Sequence, residues 1–316
     1  MKRRSQLEFP ESGSGLVRRP VLITGVMRSG TSVLAQLIGT MQGVELFYEP
    51  WTFMMIPVFH DQGAIETKAA GMNLRKFCEE TMLHSLMGRN LNSRPGDFSA
   101  YPNYLAAAEV KRRWRNVRSR EDVRRRLKSN PRTLVIKSSN LQPYYEFLFA
   151  SLPDLRIIHI QRHPGDVAAS TQRKGWYSES GLSRPESMPV RILNKSRAPY
   201  FLDDTEAERF IRYGNFERGL LAWTSLMNKH IALKKKLRLG RSQMLELSYE
   251  ELTGDPAGTL KDLEHFLRLK RSPRSVKFLR KIKRKPGAAK ISAERLIPAD
   301  RNKFHRLMHE AGYCCG

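Results

Sequence analysis

The sequence predicts an α/β protein of three layers, in which helices cover both faces of a central, mostly parallel sheet. Three short apolar runs, at 21–24, 133–136 and 155–160, have the composition of buried strands, and each leads through a polar turn into a helical pattern. Strands that alternate with helices are typical of parallel sheets. With 316 residues, 40% of them hydrophobic, the chain can form one large domain.

The domain organisation is predicted from the stretches in which the alternation of strands and helices is lost. We expect a flexible basic tail over 1–19 and a single domain over 20–316. Two helical insertions are predicted in this domain. The first, about 52–130, contains no clear parallel strand, and the second, about 172–215, carries glycines, prolines and mixed charge that predict a long, partly irregular lid.

The charge of the chain predicts an anionic partner. The formal net charge is +25 and the pI is about 10.3, which suits acidic polysaccharide, nucleic acid, a membrane surface or an anionic cofactor. The cations are concentrated: 111–128 holds ten Lys or Arg against two acids, and 268–290 holds eleven and no acid. Both stretches are also compatible with a merely solvated face.

Targeting signals are not apparent in the sequence. It has no apolar signal segment and no run of about 18 apolar residues, so we expect a cytoplasmic protein, with peripheral membrane contact left open. Three cysteines, Cys78, Cys314 and Cys315, have the spacing of neither a disulfide framework nor a metal site. We therefore expect a reducing compartment and no metal.

A glycine-rich turn connects the first strand to the first helix. Gly25 and Gly30 have the spacing of a Walker A loop, but Thr31 replaces its lysine, and Ser32 follows. Such a loop directs backbone N–H groups at a phosphate-like anion. Without the lysine, a phosphosulfate suits the loop better than a nucleoside triphosphate, with Arg28 supplying the charge. An ordinary turn that needs glycine for its geometry is the structural alternative.

Two charged side chains follow other strands. Glu49 ends the strand at 43–48 and lies beside the anion loop if that strand neighbours the first. A carboxylate there can accept a proton from an attacking hydroxyl. Lys137, at the end of 133–136, can meet negative charge that develops on a transferred group. A surface glutamate in a turn and a helix-capping neighbourhood are the alternatives.

A second anion motif follows the strand at 155–160. Arg162 leaves that strand at the same edge of the sheet, and Pro164 suits the first turn of the next helix. Ser170 lies one to two helical turns further and can face back to the edge. Two anion sites, one at each strand–helix junction, predict a ligand with two separated phosphate-like groups.

These motifs resemble those of sulfotransferases that use 3′-phosphoadenosine 5′-phosphosulfate (PAPS). The run Arg28-Ser29-Gly30-Thr31-Ser32 is similar to the family's 5′-phosphosulfate loop, and Arg162 with Ser170 is similar to its 3′-phosphate motif. Tyr249 resembles the tyrosine that lies near the adenine. The resemblance spans about 20–270. It implies a P-loop-like α/β fold and metal-free transfer of a sulfuryl group to an acceptor hydroxyl.

Within that family, the run at 47–51 most resembles the carbohydrate and tyrosylprotein branch, in which a glutamate before proline is the base. The resemblance implies that Glu49 deprotonates the acceptor, expected to be a carbohydrate, while Arg28, Lys137 and the loop stabilise charge. The histidine of the small-molecule branch has no counterpart here. Lys290 lies in a segment only loosely similar to the family's cofactor-closing loop.

Two other functions stay open. An atypical P-loop kinase is disfavoured because the loop lacks its lysine and no Walker B aspartate is evident. A non-catalytic, basic polyanion-binding protein would keep the fold without the chemistry. Nucleic acid is not expected, because aromatic residues do not interleave with the arginines. The sequence specifies neither the acceptor nor the oligomeric state, though anionic glycan or membrane contact through the basic stretches is compatible with it.

Overall fold

The structure, a computed structural model, describes residues 16–184, 188–283 and 293–313. The predicted architecture is confirmed: five parallel strands form the central sheet in the order β2-β3-β1-β4-β7. The strands are β1 (Val21–Thr24), β2 (Val44–Tyr48), β3 (Thr133–Lys137), β4 (Arg156–Gln161), β5 (Val190–Leu193), β6 (Ser196–Pro199) and β7 (Met244–Ser248). β5 and β6 pair with each other, outside the central sheet.

Helices pack on both faces of the sheet. They are α1 (Thr31–Gly39), α2 (Trp51–Asp61), α3 (Thr67–Leu86), α4 (Ala107–Asn116), α5 (Arg120–Ser129), α6 (Tyr145–Ser151), α7 (Pro164–Lys174), α8 (Glu179–Leu182), α9 (Asp204–Arg212), α10 (Asn215–Lys236), α11 (Tyr249–Gly254), α12 (Pro256–Leu267), α13 (Pro273–Leu279) and α14 (Pro298–Glu310). Alternating side chains of β1 show the two layers. Leu22 belongs to one core cluster, whereas Val21 and Ile23 belong to the other.

Glu49 was expected beside the anion loop only if its strand neighbours β1, and the strand order does not meet this condition. β3 lies between β1 and β2, so the strand that ends before Glu49 does not neighbour the strand of the anion loop. The two are separated by one strand spacing more than expected, about 4.8 Å. Lys137, at the end of β3, therefore stands between the loop and Glu49.

The first insertion contains α3, α4 and α5 and is anchored to the sheet by a buried ion-pair cluster. Arg113 of α4 donates to both oxygens of Glu45 on β2, each at 2.8 Å, and Arg132 donates to Glu45 at 2.7 Å. Burial alone would raise the pKa of Glu45, but the two arginines hold that pKa below its usual range. This cluster ties α4 to the edge strand of the sheet.

The second insertion is more regular than expected. Instead of an irregular lid, its described part contains α8, the antiparallel hairpin β5–β6 and α9. Asn194 and Lys195 form the turn of the hairpin with φ of 48° and 70°. Two central residues with positive φ suit the twist of a tight hairpin, but Asn-Lys lacks the glycine that marks such a turn in a sequence.

Several residues discussed in the sequence analysis lie at the start of the described ranges or outside them. Leu16, within the expected tail, is buried in the core. Residues 1–15, Lys290, Cys314 and Cys315 lie outside the described residues. Among the helices that the structure describes, none combines the length and the apolar character needed to cross a membrane.

Candidate active site

A cleft of about 790 Å³ opens at the carboxyl ends of the strands. Eight of the ten residues that the sequence singled out line it: Arg28, Gly30, Thr31, Ser32, Glu49, Lys137, Arg162 and Tyr249. Ser29 is fully buried in the loop, and Ser170 reaches the site through a hydrogen bond. Ligands of parallel α/β proteins bind at this edge of the sheet. The fold therefore brings the predicted residues to one place.

The loop between β1 and α1 depends on two glycines. A Cβ at Gly25 would lie 2.1 Å from the carbonyl oxygen of Ile160 on the neighbouring strand. Gly30 has a φ of 93°, and a Cβ there would lie 2.5 Å from the ring of Tyr249. α1 then begins without a side-chain cap. The first N–H groups of an uncapped helix are available to an anion, and here they face the cleft.

Asn140 holds this loop against the sheet, a role that the sequence reasoning missed. Its side-chain oxygen accepts a hydrogen bond from the Met27 N–H at 2.9 Å, and its own N–H donates to Gly25 at 3.0 Å. The hydroxyl of Tyr200 donates to the Asn140 carbonyl at 3.1 Å. Asn140 has a φ of 62°, a region that asparagine tolerates better than most residues. An asparagine three residues after the end of β3 is the available sequence signal.

Arg28 joins the two anion motifs. Its Nε donates to the Ser170 hydroxyl at 2.9 Å, and its guanidinium lies 5.1 Å from the ring centre of Trp176, a cleft residue that the sequence reasoning also missed. Burial lowers the pKa of Arg28, and the charges of Arg162 and Arg173 lower it further. Positive charge is therefore concentrated here, so a bound anion would be strongly favoured.

Arg162 is held in place from two sides. Its Nη2 donates to Asp166 at 3.0 Å, one helical turn further along α7, and its guanidinium lies 4.2 Å from the ring centre of Tyr249. Its Nε is buried and has no hydrogen-bond partner among the described residues. Such an orphaned donor beside an open cleft fits a site for a phosphate oxygen.

Glu49 and Lys137 form an ion pair on the other side of the loop. Lys137 is buried, whereas the side chain of Glu49 is 62% exposed and faces the cleft. Burial lowers the pKa of Lys137, although the carboxylate of Glu49 opposes this shift and the charge of Arg28 adds to it. Glu49 also has a φ of 41°, unusual for a residue with a side chain. An accessible carboxylate and a buried ammonium thus meet beside the anion loop.

The sequence matches the model of the sulfotransferase family over residues 20–273. The chain belongs to the sulfotransferase family. This membership confirms the family and the enzyme class that the two anion motifs predicted. A search of curated proteins found no match.

Solved structures share the fold of this sulfotransferase at low sequence identity. The sulfotransferase domain from the curacin biosynthetic pathway is 13% identical, covers 95% of this chain and 99% of its own, and has a TM-score of 0.52. The sulfotransferase domain from the Synechococcus PCC 7002 olefin synthase is 15% identical, with coverages of 98% and 99% and a TM-score of 0.52. Both confirm the predicted α/β architecture.

The remaining wall of the sulfotransferase cleft is largely apolar. Its apolar residues come from both insertions and the loops beside them: Trp51, Met54, Phe98, Trp176 and Met188; the exposed Arg184 of the second insertion also lines the cleft. The indole of Trp51 is 53% exposed and follows Glu49 by two residues. Within the described residues, no group of three or more His, Cys, Asp or Glu side chains is arranged to hold a metal ion.

Proposed function

We propose that this sulfotransferase transfers the sulfuryl group of PAPS to the hydroxyl of a carbohydrate. The observation that carries the proposal is the hydrogen bond between Arg28 and Ser170, because it joins the two anion motifs at one cleft. PAPS carries two separated anionic groups, a 5′-phosphosulfate and a 3′-phosphate. A single cleft with two adjoining anion motifs fits such a donor better than a linear triphosphate.

The donor is assigned to this cleft by chemistry. The uncapped start of α1, with Thr31 and Ser32, and the guanidinium of Arg28 suit the phosphosulfate. Arg162 and Ser170 suit the 3′-phosphate, and the orphaned Nε of Arg162 supports this assignment. The ring of Tyr249, which lines the same cleft, suits the adenine.

Glu49 is the base in the proposed reaction. Its carboxylate accepts the proton of the acceptor hydroxyl, whose oxygen forms a bond to sulfur as the bond from sulfur to the phosphate oxygen breaks. The electron pair of that bond leaves with adenosine 3′,5′-bisphosphate. Lys137 pairs with Glu49 and places positive charge beside the transferred group. The apolar wall limits competing attack by water.

The acceptor is proposed from the wall beside the base. An exposed indole offers a flat surface on which the C–H face of a sugar ring packs, and Trp51 presents one close to Glu49 along the chain. Phe98 and Trp176 extend the aromatic surface of the cleft. These residues support a carbohydrate acceptor over a peptide tyrosine, whose recognition would also need groups for its backbone.

Isothermal titration calorimetry tests the donor. Adenosine 3′,5′-bisphosphate should bind with micromolar affinity, more tightly than ATP with magnesium, and Arg162→Gln should weaken its binding about tenfold or more, since a charge-assisted hydrogen bond is lost. Arg118→Gln, an exposed arginine before α5, is the matched control for charge and should change nothing.

Two results would redirect the proposal. Tighter binding of ATP, or indifference to Arg162→Gln, would favour an atypical kinase. Binding of DNA or acidic glycan that ignores nucleotide would favour a polyanion-binding protein. The acceptor is tested separately, by mass spectrometry of sulfated products after incubation with PAPS and a panel of sugars, tyrosine peptides and apolar alcohols. Product formed only from apolar alcohols would overturn the carbohydrate assignment and leave the donor assignment intact.

A further inference from the structure

The amino ends of the strands carry a second concentration of positive charge, far from the cleft. All five strands of the central sheet are parallel, so their amino ends lie at one edge and the cleft lies at the other. Six exposed cations flank the amino ends of β1, β2, β4 and β7, and we call them the amino-edge patch: Arg18, Arg19, Arg238, Arg241, Arg268 and Lys270. The start of the basic stretch 268–290 thus contributes Arg268 and Lys270 to a surface shared with other segments.

Hydrogen bonds place these residues together. The N–H of Arg156, the first residue of β4, donates to Pro20, which directly follows Arg19, at 2.9 Å. The guanidinium of Arg156 donates to Phe266 at 2.7 Å, at the end of α12, next to Arg268. The N–H of Ile157 donates to Gln243 at 2.8 Å, which brings in the segment of Arg241.

The cations of the patch are not paired with carboxylates of the described residues. None of its six residues forms an ion pair with another described residue, and Asp154, just before β4, is an exposed acid at the same edge. Beneath it lies Arg156, whose buried Nε has no partner in the described chain. Burial lowers the pKa of Arg156, and the charges of Arg19 and Arg268 lower it further. The edge therefore carries repulsion that an external anion would relieve.

Three patch residues have a backbone that favours glycine. Arg19, Arg238 and Arg268 have φ of 48°, 51° and 55°. Glycine adopts this region at no steric cost, and it is the common residue after a helix. Cations near helix ends also offset the helix dipole, which accounts for Arg238 and Arg268 but not for Arg19. Arginine at all three positions indicates that the charged side chain has a role at this surface.

We propose that the amino-edge patch docks this protein on an anionic phospholipid bilayer. An array of six cations along this edge of the sheet meets many headgroups at once. The patch consists of strand starts and helix ends, so it presents no whole helix to the major groove of DNA. It also contains no exposed aromatic residue on which single-stranded bases could stack. Docking by this edge turns the cleft away from the bilayer and leaves it open to solvent.

Vesicle co-sedimentation of the full chain tests the proposal. The protein should bind vesicles of phosphatidylcholine with phosphatidylserine and should not bind phosphatidylcholine alone. Each Lys or Arg near an anionic bilayer strengthens binding about fivefold, so Arg19→Gln, Arg268→Gln and Lys270→Gln together should weaken it about 100-fold. A matched triple variant in the first insertion, Arg115→Gln, Arg118→Gln and Arg124→Gln, removes the same charge from exposed positions and should retain most of the binding.

Three results would overturn the proposal. Equal losses in both triple variants would mean that net charge, not this edge, governs binding. Release from the vesicles by millimolar inorganic phosphate, but not by the same ionic strength of sodium chloride, would indicate a site for a small anion. Binding of duplex DNA that depends on Arg19, Arg268 and Lys270, with no binding to vesicles, would assign the patch to nucleic acid. Circular dichroism of each variant shows whether it is folded.

Discussion

The two edges of the central sheet both gather arginine and lysine, but they hold these cations differently. At the carboxyl edge three cations of the cleft have partners: Arg28 bonds to Ser170, Arg162 to Asp166, and Lys137 to Glu49, whereas Arg184 is exposed. At the amino edge the six patch cations are exposed and form no ion pair with described residues. Fixed, partly buried cations suit a ligand of defined shape, whereas exposed ones suit an extended anionic surface.

Positive φ angles are concentrated at the same two edges of the sheet. Among the described residues, six residues other than glycine and asparagine have positive φ: Arg19, Arg28, Glu49, Lys195, Arg238 and Arg268. Two of them line the cleft, three belong to the amino-edge patch, and one forms the hairpin turn. A strained backbone is retained where the side chain is needed, at a cost of about 1–3 kcal/mol each. Five of the six lie at the two charged edges.

The largest effect is expected at the carboxyl edge, from Glu49→Gln. The amide keeps the shape of the side chain and its φ, but it cannot accept the acceptor's proton, so turnover with PAPS should fall by about 10²–10⁴-fold. The affinity for adenosine 3′,5′-bisphosphate, measured by calorimetry, should stay within about threefold of wild type, because the donor contacts come from other residues. Full turnover in Glu49→Gln would place the base elsewhere and would leave Glu49 as a partner of Lys137 alone.

A buried arginine near the amino end of β2 shows what a fixed cation contributes to stability. Arg113→Met leaves the carboxylate of Glu45 buried with Arg132 and the Ser85 hydroxyl as its remaining partners, so the free energy of unfolding should fall by about 3–5 kcal/mol. Arg112→Met, its neighbour on α4, removes an exposed arginine that pairs with Glu109 and should change stability by about 0.5 kcal/mol or less. Urea denaturation of the two variants measures the difference.

The same pair of variants predicts a pH dependence. The pKa of Glu45 is lowered in the folded protein, so its stabilising effect is present above its unfolded pKa of about 4.3 and is lost as pH falls toward the folded pKa. Acid should therefore destabilise wild type and Arg112→Met more steeply than Arg113→Met. Parallel curves of stability against pH for all three proteins would contradict this account.

The sequence predicted the site residues that lie within a single strand–helix junction. It did not predict those that reach the site through contacts between distant segments. Gly25, Gly30, Arg28, Arg162 and Ser170 were recognisable because each junction places its residues within one turn or one helix. The two junctions meet because β1 and β4 are neighbours. Their common cleft was expected from the general rule that parallel strands end at one edge.

The missing part depends on contacts between distant segments. The position of β3 between β1 and β2 is set by pairing across the whole first insertion, which no local pattern encodes. Trp176 enters the site because Arg28 lies on its ring, and Tyr200 enters it through Asn140. The amino-edge patch combines three segments that are distant in the sequence, near 18, 240 and 269, so the basic stretches indicated an anionic partner but not this surface.

The smallest predicted effect comes from a variant that changes the geometry of the loop between β1 and α1 without changing its charge. Asn140→Ala removes the acceptor for the Met27 N–H and leaves alanine with a positive φ, so bisphosphate should bind about tenfold more weakly and the melting temperature should fall. Asn194→Ala, at the same kind of backbone position in the β5–β6 turn, imposes the strain without touching the loop. It should lower the melting temperature and leave bisphosphate affinity unchanged. Equal losses of affinity in both variants would show that bisphosphate binding falls with the overall stability of the fold. A loss confined to Asn140→Ala would mean that the fixed cations of the carboxyl edge depend on this one side chain for their arrangement.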